Sequence, residues 1–149
     1  MKKTRVIYGF LSPLFLVAGM LVYFLFRDWG NLIFFAWIPI PIPDAAGSAI
    51  IHLAPSASPS PFFNVVRFNL NGALWLVAGI LFFRFVWFHR PREQKAYIAC
   101  FCGTAALLEI SQLSPRVPGT FDVLDLVFMG IGAFGEGLLY KFLVERRIA

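Results

Sequence analysis

The feature that most constrains this fold is an apolar run at residues 6–26 with no charged side chain in it. At a rise of about 1.5 Å per residue, a helix of this length is roughly 31 Å long, enough to cross the hydrocarbon core of a bilayer. The run follows a basic stretch at residues 1–5 and ends at Arg27 without a small-residue cleavage site. It is therefore predicted to be an uncleaved signal anchor, kinked locally at Pro13.

Three further apolar runs, at residues 71–88, 96–113 and 122–144, have about the length of a transmembrane helix. The chain is 59% hydrophobic with a mean hydropathy of +0.75, more than a soluble domain of this length needs for its core. Its charged residues stand between the runs and do not line one face of each. The sequence predicts an all-α fold, a four-helix transmembrane bundle that occupies residues 1–149 as a single domain.

The basic residues predict the orientation of this bundle. With four spans and a cytoplasmic N-terminus, all of the 13 lysines and arginines fall on the inner side except three, which are Arg27, Arg67 and Arg116. A fifth span within residues 32–54 would place most of them outside, and three alternating prolines followed by Asp44 break that segment into pieces too short to cross. We therefore predict cytoplasmic termini and an outer connection over residues 27–70 with interfacial or re-entrant segments.

Polar side chains gather where the third and fourth runs meet at the predicted outer surface. Pro115, Pro118 and Gly119 end the third helix and allow a tight reversal, so the two helices are expected to be antiparallel neighbours. Five residues at their facing ends form what we call the outer polar cluster: Glu109, Gln112, Arg116, Asp122 and Asp125.

Two interpretations of the outer polar cluster use the same geometry. In the structural one, Thr120 or Asp122 caps the fourth helix and, with Asp122 as the cap, Asp125 reaches back to it. Arg116 then pairs with Glu109 or Asp125 across the hairpin. In the functional one, the carboxylates and the guanidinium bind a lipid headgroup, an amine or a sugar at the outer surface. The two are compatible, and the sequence leaves both open.

Two ionisable residues inside the predicted membrane region, Arg84 and Glu136, are secondary candidates. Glu136 either pairs with Arg84 or stays protonated and bonds to Tyr140 or a backbone carbonyl. Because the predicted depths of Arg84 and Glu136 do not match, the sequence favours the protonated form.

The glycines near Glu136 spell G-x-G-x-x-G, a pattern typical of dinucleotide-binding loops. No strand precedes them and they suit close helix packing, so no cofactor is predicted.

The polar hairpin resembles the signature of the VanZ-like family, small multi-pass membrane proteins of bacteria, on a pattern of seven positions: Glu109, Gln112, Arg116, Phe121, Asp122, Asp125 and Gly132. The resemblance is confined to about residues 109–135. It implies a place in the bacterial inner membrane, a role in the cell envelope and a link to low-level resistance to glycopeptide antibiotics such as teicoplanin. It implies no reaction.

The leading prediction is a non-catalytic protein whose outer polar cluster recognises or shields a cell-envelope component. The expected partners are membrane lipids and an envelope precursor or a lipoglycopeptide. The alternative is a membrane-embedded enzyme that acts on a lipid-linked substrate through the outer carboxylates. A transporter or channel ranks third, since Glu136 is almost alone in marking a path through the spans.

Other classes of site find little support in the sequence. Cys100 and Cys102 would point about 200° apart on a helix, and His52 and His89 lie far from them, so neither a disulfide nor a metal site is predicted. The basic residues stand at the ends of apolar runs and form no solvated stripe, so nucleic acid is not an expected partner. The oligomeric state is left open.

Overall fold

The computed structural model of the protein describes residues 2–26, 61–117 and 121–144. Every regular element in these ranges is an α-helix, which confirms the predicted all-α class. The four helices are α1 (Lys2–Phe26), α2 (Pro61–Val86), α3 (Pro91–Ser111) and α4 (Val123–Val144). Most of the predicted outer connection, with residues 32–54 and His52, lies outside the described residues, as do Pro118, Gly119, Thr120 and the side chain of Arg67.

Three helices begin earlier than predicted: α1 begins at Lys2 instead of residue 6, and the other two begin at a proline. α2 starts at Pro61 where residue 71 was expected, and α3 starts at Pro91 where residue 96 was expected. Proline suits the first turn of a helix because an N–H at that position has no intrahelical acceptor. Residues 91–95, which lie between the second and third apolar runs, therefore belong to the start of α3, and the α2–α3 connection shrinks to residues 87–90.

Three of the four helices are long and apolar enough to cross a membrane. The qualifying segments are Thr4–Tyr23 of α1, Asn69–Val86 of α2 and Val123–Val144 of α4. α3 is not among them, since polar residues at its start and Glu109 near its end lower its mean hydropathy.

α3 shows an inverted burial pattern, in which its polar residues are buried and its large apolar residues are exposed. The residues that α3 buries are Gln94 and Glu109, both polar, whereas Leu107, Leu108 and Ile110 are exposed. In water this arrangement would be unfavourable, because it hides polar groups and exposes apolar surface. It is the arrangement expected of a helix surrounded by hydrocarbon.

α2 is the central helix, and the other three pack around it. α1 runs antiparallel to α2, with Ser12 Oγ donating to the Ala78 carbonyl at 2.9 Å. α4 runs parallel to α2, with Gly132 against Ala73 and Val77. α1 and α4 contact each other little. α3 and α4, which were predicted to be antiparallel neighbours, also make only sparse contact.

Candidate functional site

Glu109 is the centre of the outer polar cluster. It lies in the last turn of α3 and is 7% exposed. Its Oε2 accepts a hydrogen bond from Gln112 Nε2 at 3.3 Å, and its Oε1 accepts one from the backbone N–H of Asp122 at 3.2 Å. The carboxylate thus joins the end of α3 to the start of α4 through neutral donors, and no cation pairs with it among the described residues.

Asp122 is the N-cap of α4, which confirms one of the two caps predicted from the sequence. Its Oδ1 accepts the backbone N–H of Leu124 at 2.9 Å, and its carbonyl accepts that of Asp125 at 3.0 Å. These bonds satisfy donors that the first turn of a helix leaves free. The backbone N–H of Asp122, which Asp125 was expected to bind, donates to Glu109 of the neighbouring helix.

Asp125 and Arg116 lie farther from this centre. Asp125 is half-buried, and a Cβ built on Gly72 of α2 would be 3.9 Å from its Oδ1, so the carboxylate faces α2. Arg116 is exposed in the turn after α3, and its backbone N–H donates to Ser114 Oγ at 3.4 Å. Within the described part of the chain its guanidinium forms no ion pair with Glu109, so that predicted pairing is wrong, and the alternative pairing with Asp125 stays a prediction.

Asn69 of α2 belongs to the same end of the bundle, although the sequence did not place it in the cluster. It is 2% exposed, and its Nδ2 donates to the Val65 carbonyl at 2.8 Å. Its Oδ1 is buried and has no partner among the described atoms. Asn69 stands one helical turn before Gly72 and Ala73, which face α4, so it shares that face. The signal in the sequence was a group of asparagines, Asn64, Asn69 and Asn71, where the second apolar run begins.

Arg84 and Glu136 form a buried ion pair near the other end of the bundle. Arg84 Nε lies 2.7 Å from Glu136 Oε1 and its Nη2 lies 2.9 Å from Oε2, while the two side chains are 11% and 2% exposed. The guanidinium also stacks at 3.8 Å over the centre of the Tyr140 ring. The favoured prediction of a protonated Glu136 bonded to Tyr140 or a carbonyl was therefore wrong. The long arginine side chain spans the difference in depth, and Tyr140 offers its ring face to the cation.

Gln94 ties α3 to this ion pair. Its Oε1 accepts a hydrogen bond from Arg84 Nη1 at 3.0 Å, and its Nε2 donates to the carbonyls of Arg84 and Trp87 at 3.3 and 3.5 Å. Tyr8 of α1 is fully buried within electrostatic range of Arg84 and Glu136, and its hydroxyl has no partner among the described atoms. We call these residues the inner polar cluster: Tyr8, Arg84, Gln94, Glu136 and Tyr140.

The two clusters hold the helices together without a recognisable metal centre. Among the described residues, no group of three or more His, Cys, Asp and Glu side chains could hold a metal ion. The inner polar cluster joins α2, α3 and α4, and the outer one joins α3 to α4. No family model matches the chain, and no curated protein or solved structure is similar to it at a significant level.

Proposed function

We propose that the protein is a VanZ-like protein of the bacterial inner membrane with four transmembrane helices and cytoplasmic termini. Three helices meet the length and hydropathy of a span, and the inverted burial of α3 supports a fourth. The directions of the helices agree with this topology, because α1 is antiparallel to α2 whereas α4 is parallel to α2. Four crossings joined end to end require this alternation.

The topology is tested by labelling a thiol at the α3–α4 turn. The Ser114→Cys variant is made in a chain whose own cysteines are replaced, Cys100→Ala and Cys102→Ala. Ser114 is exposed, so we expect a membrane-impermeant maleimide to label intact spheroplasts. A matched Glu93→Cys variant at the start of α3 should react only after permeabilisation. Labelling of Ser114→Cys only after permeabilisation would refute the orientation.

Within this topology we propose that the outer polar cluster recognises or shields an envelope component without catalysis. The observation that carries this proposal is the buried Glu109 carboxylate, which two neutral donors hold in place. A buried carboxylate that no described cation pairs with can accept further hydrogen bonds, and Asn69 Oδ1, which has no partner among the described atoms, adds a second acceptor. An amine or a hydroxyl group of a ligand suits such a set, and exposed Arg116 at its edge suits an anionic group.

Glu109→Gln is the sharpest test of this function. The amide keeps an acceptor for the Asp122 N–H but removes the negative charge, so the hairpin should stay folded. We expect teicoplanin binding by the purified protein in nanodiscs to weaken about tenfold or more, because a charge-assisted hydrogen bond contributes about 1.5–3 kcal/mol. The protection of cells against the antibiotic should fall in parallel.

Glu93→Gln provides the matched control. Glu93 lies on the same helix but is exposed and stands at its opposite end. This variant should bind and protect as the unchanged protein does. Unchanged binding and protection in Glu109→Gln would contradict the proposed site.

A further inference from the structure

Exposed basic side chains gather where α2 ends and α3 begins. Arg90 lies in the α2–α3 connection, and Arg92 and Lys95 follow at the start of α3, three residues apart and therefore neighbours on the surface of that helix. Glu93 is the one acidic residue among residues 90–95. Within the described part of the chain, none of the three basic side chains forms an ion pair. We call Arg90, Arg92 and Lys95 the basic patch, and its net charge is positive.

Aromatic residues indicate that the basic patch lies at the membrane surface. The apolar segment of α2 that is long enough to span ends at Val86, and Trp87 follows it directly. The Trp87 ring stacks on Tyr97 of α3 with 4.8 Å between the ring centres, and the Arg90 guanidinium lies 5.9 Å from the centre of the Trp87 ring. Trp and Tyr side chains are enriched where the hydrocarbon core meets the lipid headgroups. The guanidinium is therefore held at the depth of the lipid phosphates.

Further basic residues lie at the same end of the bundle. Arg5 of α1 donates from its Nε to the carbonyl of Phe85, near the end of α2, at 3.2 Å. Lys141 is exposed in the last turn of α4, and the inner polar cluster joins this end of α4 to the start of α3. The described charges at the opposite end are mostly the carboxylates of the outer polar cluster. The basic end of the protein therefore attracts anions, and the acidic end does not.

The headgroup of an anionic phospholipid has the chemistry that fits the basic patch. Its phosphate accepts charge-assisted hydrogen bonds from guanidinium and ammonium groups. The attraction between a basic side chain and an anionic membrane surface falls off within a Debye length, about 8 Å at physiological salt. Side chains at headgroup depth therefore feel it fully. A zwitterionic headgroup carries its own cation, which cancels much of the attraction.

We propose that the basic patch binds the headgroup of an anionic phospholipid of the phosphatidylglycerol type where α2 ends and α3 begins. Arg92 and Lys95 contact the phosphate, and Arg90 adds its charge from its place beside Trp87. The lipid belongs to the layer around the helices, so no cavity of the protein is needed to hold it. This site lies at the opposite end from the outer polar cluster and does not depend on the function proposed for that cluster.

Fluorescence quenching of Trp87 measures which lipid lies beside the patch. The other tryptophans are replaced, Trp29→Phe, Trp37→Phe and Trp75→Phe. The full chain is then reconstituted in bilayers that mix phosphatidylcholine and phosphatidylglycerol, with bromine, a short-range quencher, on the chains of one of the two lipids. We expect a preference for phosphatidylglycerol of about fivefold or more, because one basic side chain near an anionic surface already supplies about that factor. The preference should shrink in about 1 M salt, where the Debye length is about 3 Å.

The triple variant Arg90→Gln, Arg92→Gln, Lys95→Gln removes the charge of the patch and keeps polar side chains. All three residues are exposed, so folding, checked by circular dichroism, should be preserved. The preference for phosphatidylglycerol should disappear. Glu93→Gln is the matched control, since it removes an exposed charge of the opposite sign from the same turn, and it should keep or increase the preference.

A chain that keeps Trp75 as its one tryptophan tests the position of the site. Trp75 lies on α2 roughly 18 Å of helix from Trp87, so the preference measured there should be smaller. An equal preference at Trp75 and Trp87, or one that persists at Trp87 in the triple variant, would refute the assignment to the basic patch. Equal quenching by the two lipids in the unchanged patch would overturn the proposal and leave the patch to an acidic protein partner.

Discussion

Replacement of Arg84 by methionine should destabilise the protein by about 3–5 kcal/mol, because it leaves the Glu136 carboxylate buried without its cation. Glu136 is 2% exposed by side chain, so water cannot replace the lost partner. Gln94 loses the same guanidinium, and Tyr140 loses a stacked cation. The free energy of unfolding, measured by titration with dodecyl sulfate in mixed micelles, gives the size of the effect.

The double variant Arg84→Met, Glu136→Leu tests whether the loss of stability comes from the unpaired Glu136 charge or from the missing Arg84 side chain. With both ions removed, no buried charge lacks a partner, and most of the stability should return. Arg92→Met serves as the control, because Arg92 is exposed in the first turn of α3 and should change the free energy of unfolding little. A double variant as unstable as Arg84→Met alone would show that the two residues do not act as a pair.

Gly79→Leu should produce the second large effect, a destabilisation of about 1–3 kcal/mol through overpacking. A Cβ built on Gly79 would lie 2.3 Å from Cε1 and from Cζ of Phe101, so the Phe101 ring must move. That ring packs 5.6 Å from the centre of Phe83, which also stacks on Tyr97 at 5.9 Å. These contacts hold α3 against α2, and amide hydrogen exchange along α3 should therefore accelerate.

Phe101→Ala in the Gly79→Leu chain restores the space and should recover part of the stability. Gly103→Leu provides the matched control on α3, since a Cβ on Gly103 meets no atom within 4 Å. Its unfolding and exchange should resemble those of the unchanged protein. Equal losses in Gly79→Leu and Gly103→Leu would contradict the close packing of α2 and α3 at Gly79.

The existence of four helices could be predicted because the length of an apolar run is a local property of the sequence. The residues at which the helices begin were harder to predict from the sequence. A proline such as Pro61 or Pro91 can either end a helix or stand in the first turn of one. Which of these occurs depends on how the surrounding residues pack. α2 and α3 consequently start earlier than their apolar runs.

The same distinction holds for the site residues, since local interactions could be predicted and interactions between helices could not. The cap at Asp122 depends on positions a few residues apart, and the sequence predicted it. The bond from the Asp122 N–H to Glu109 joins two helices, whereas the capping pattern assigned that donor to Asp125. The Arg84–Glu136 pair was judged improbable from depth along the helices, a measure that ignores how far an arginine side chain reaches.

The inverted burial of α3 bears on how the protein is made. α3 is too polar on average to partition readily into lipid by itself, and its two buried residues find their partners on different helices. Arg84 is synthesised before Gln94, whereas Asp122 is synthesised after Glu109. In the proposed topology the translocon would therefore release α3 only together with α4, and a nascent chain that stops before Asp122 would leave the Glu109 carboxylate without this donor and α3 less stable in the bilayer.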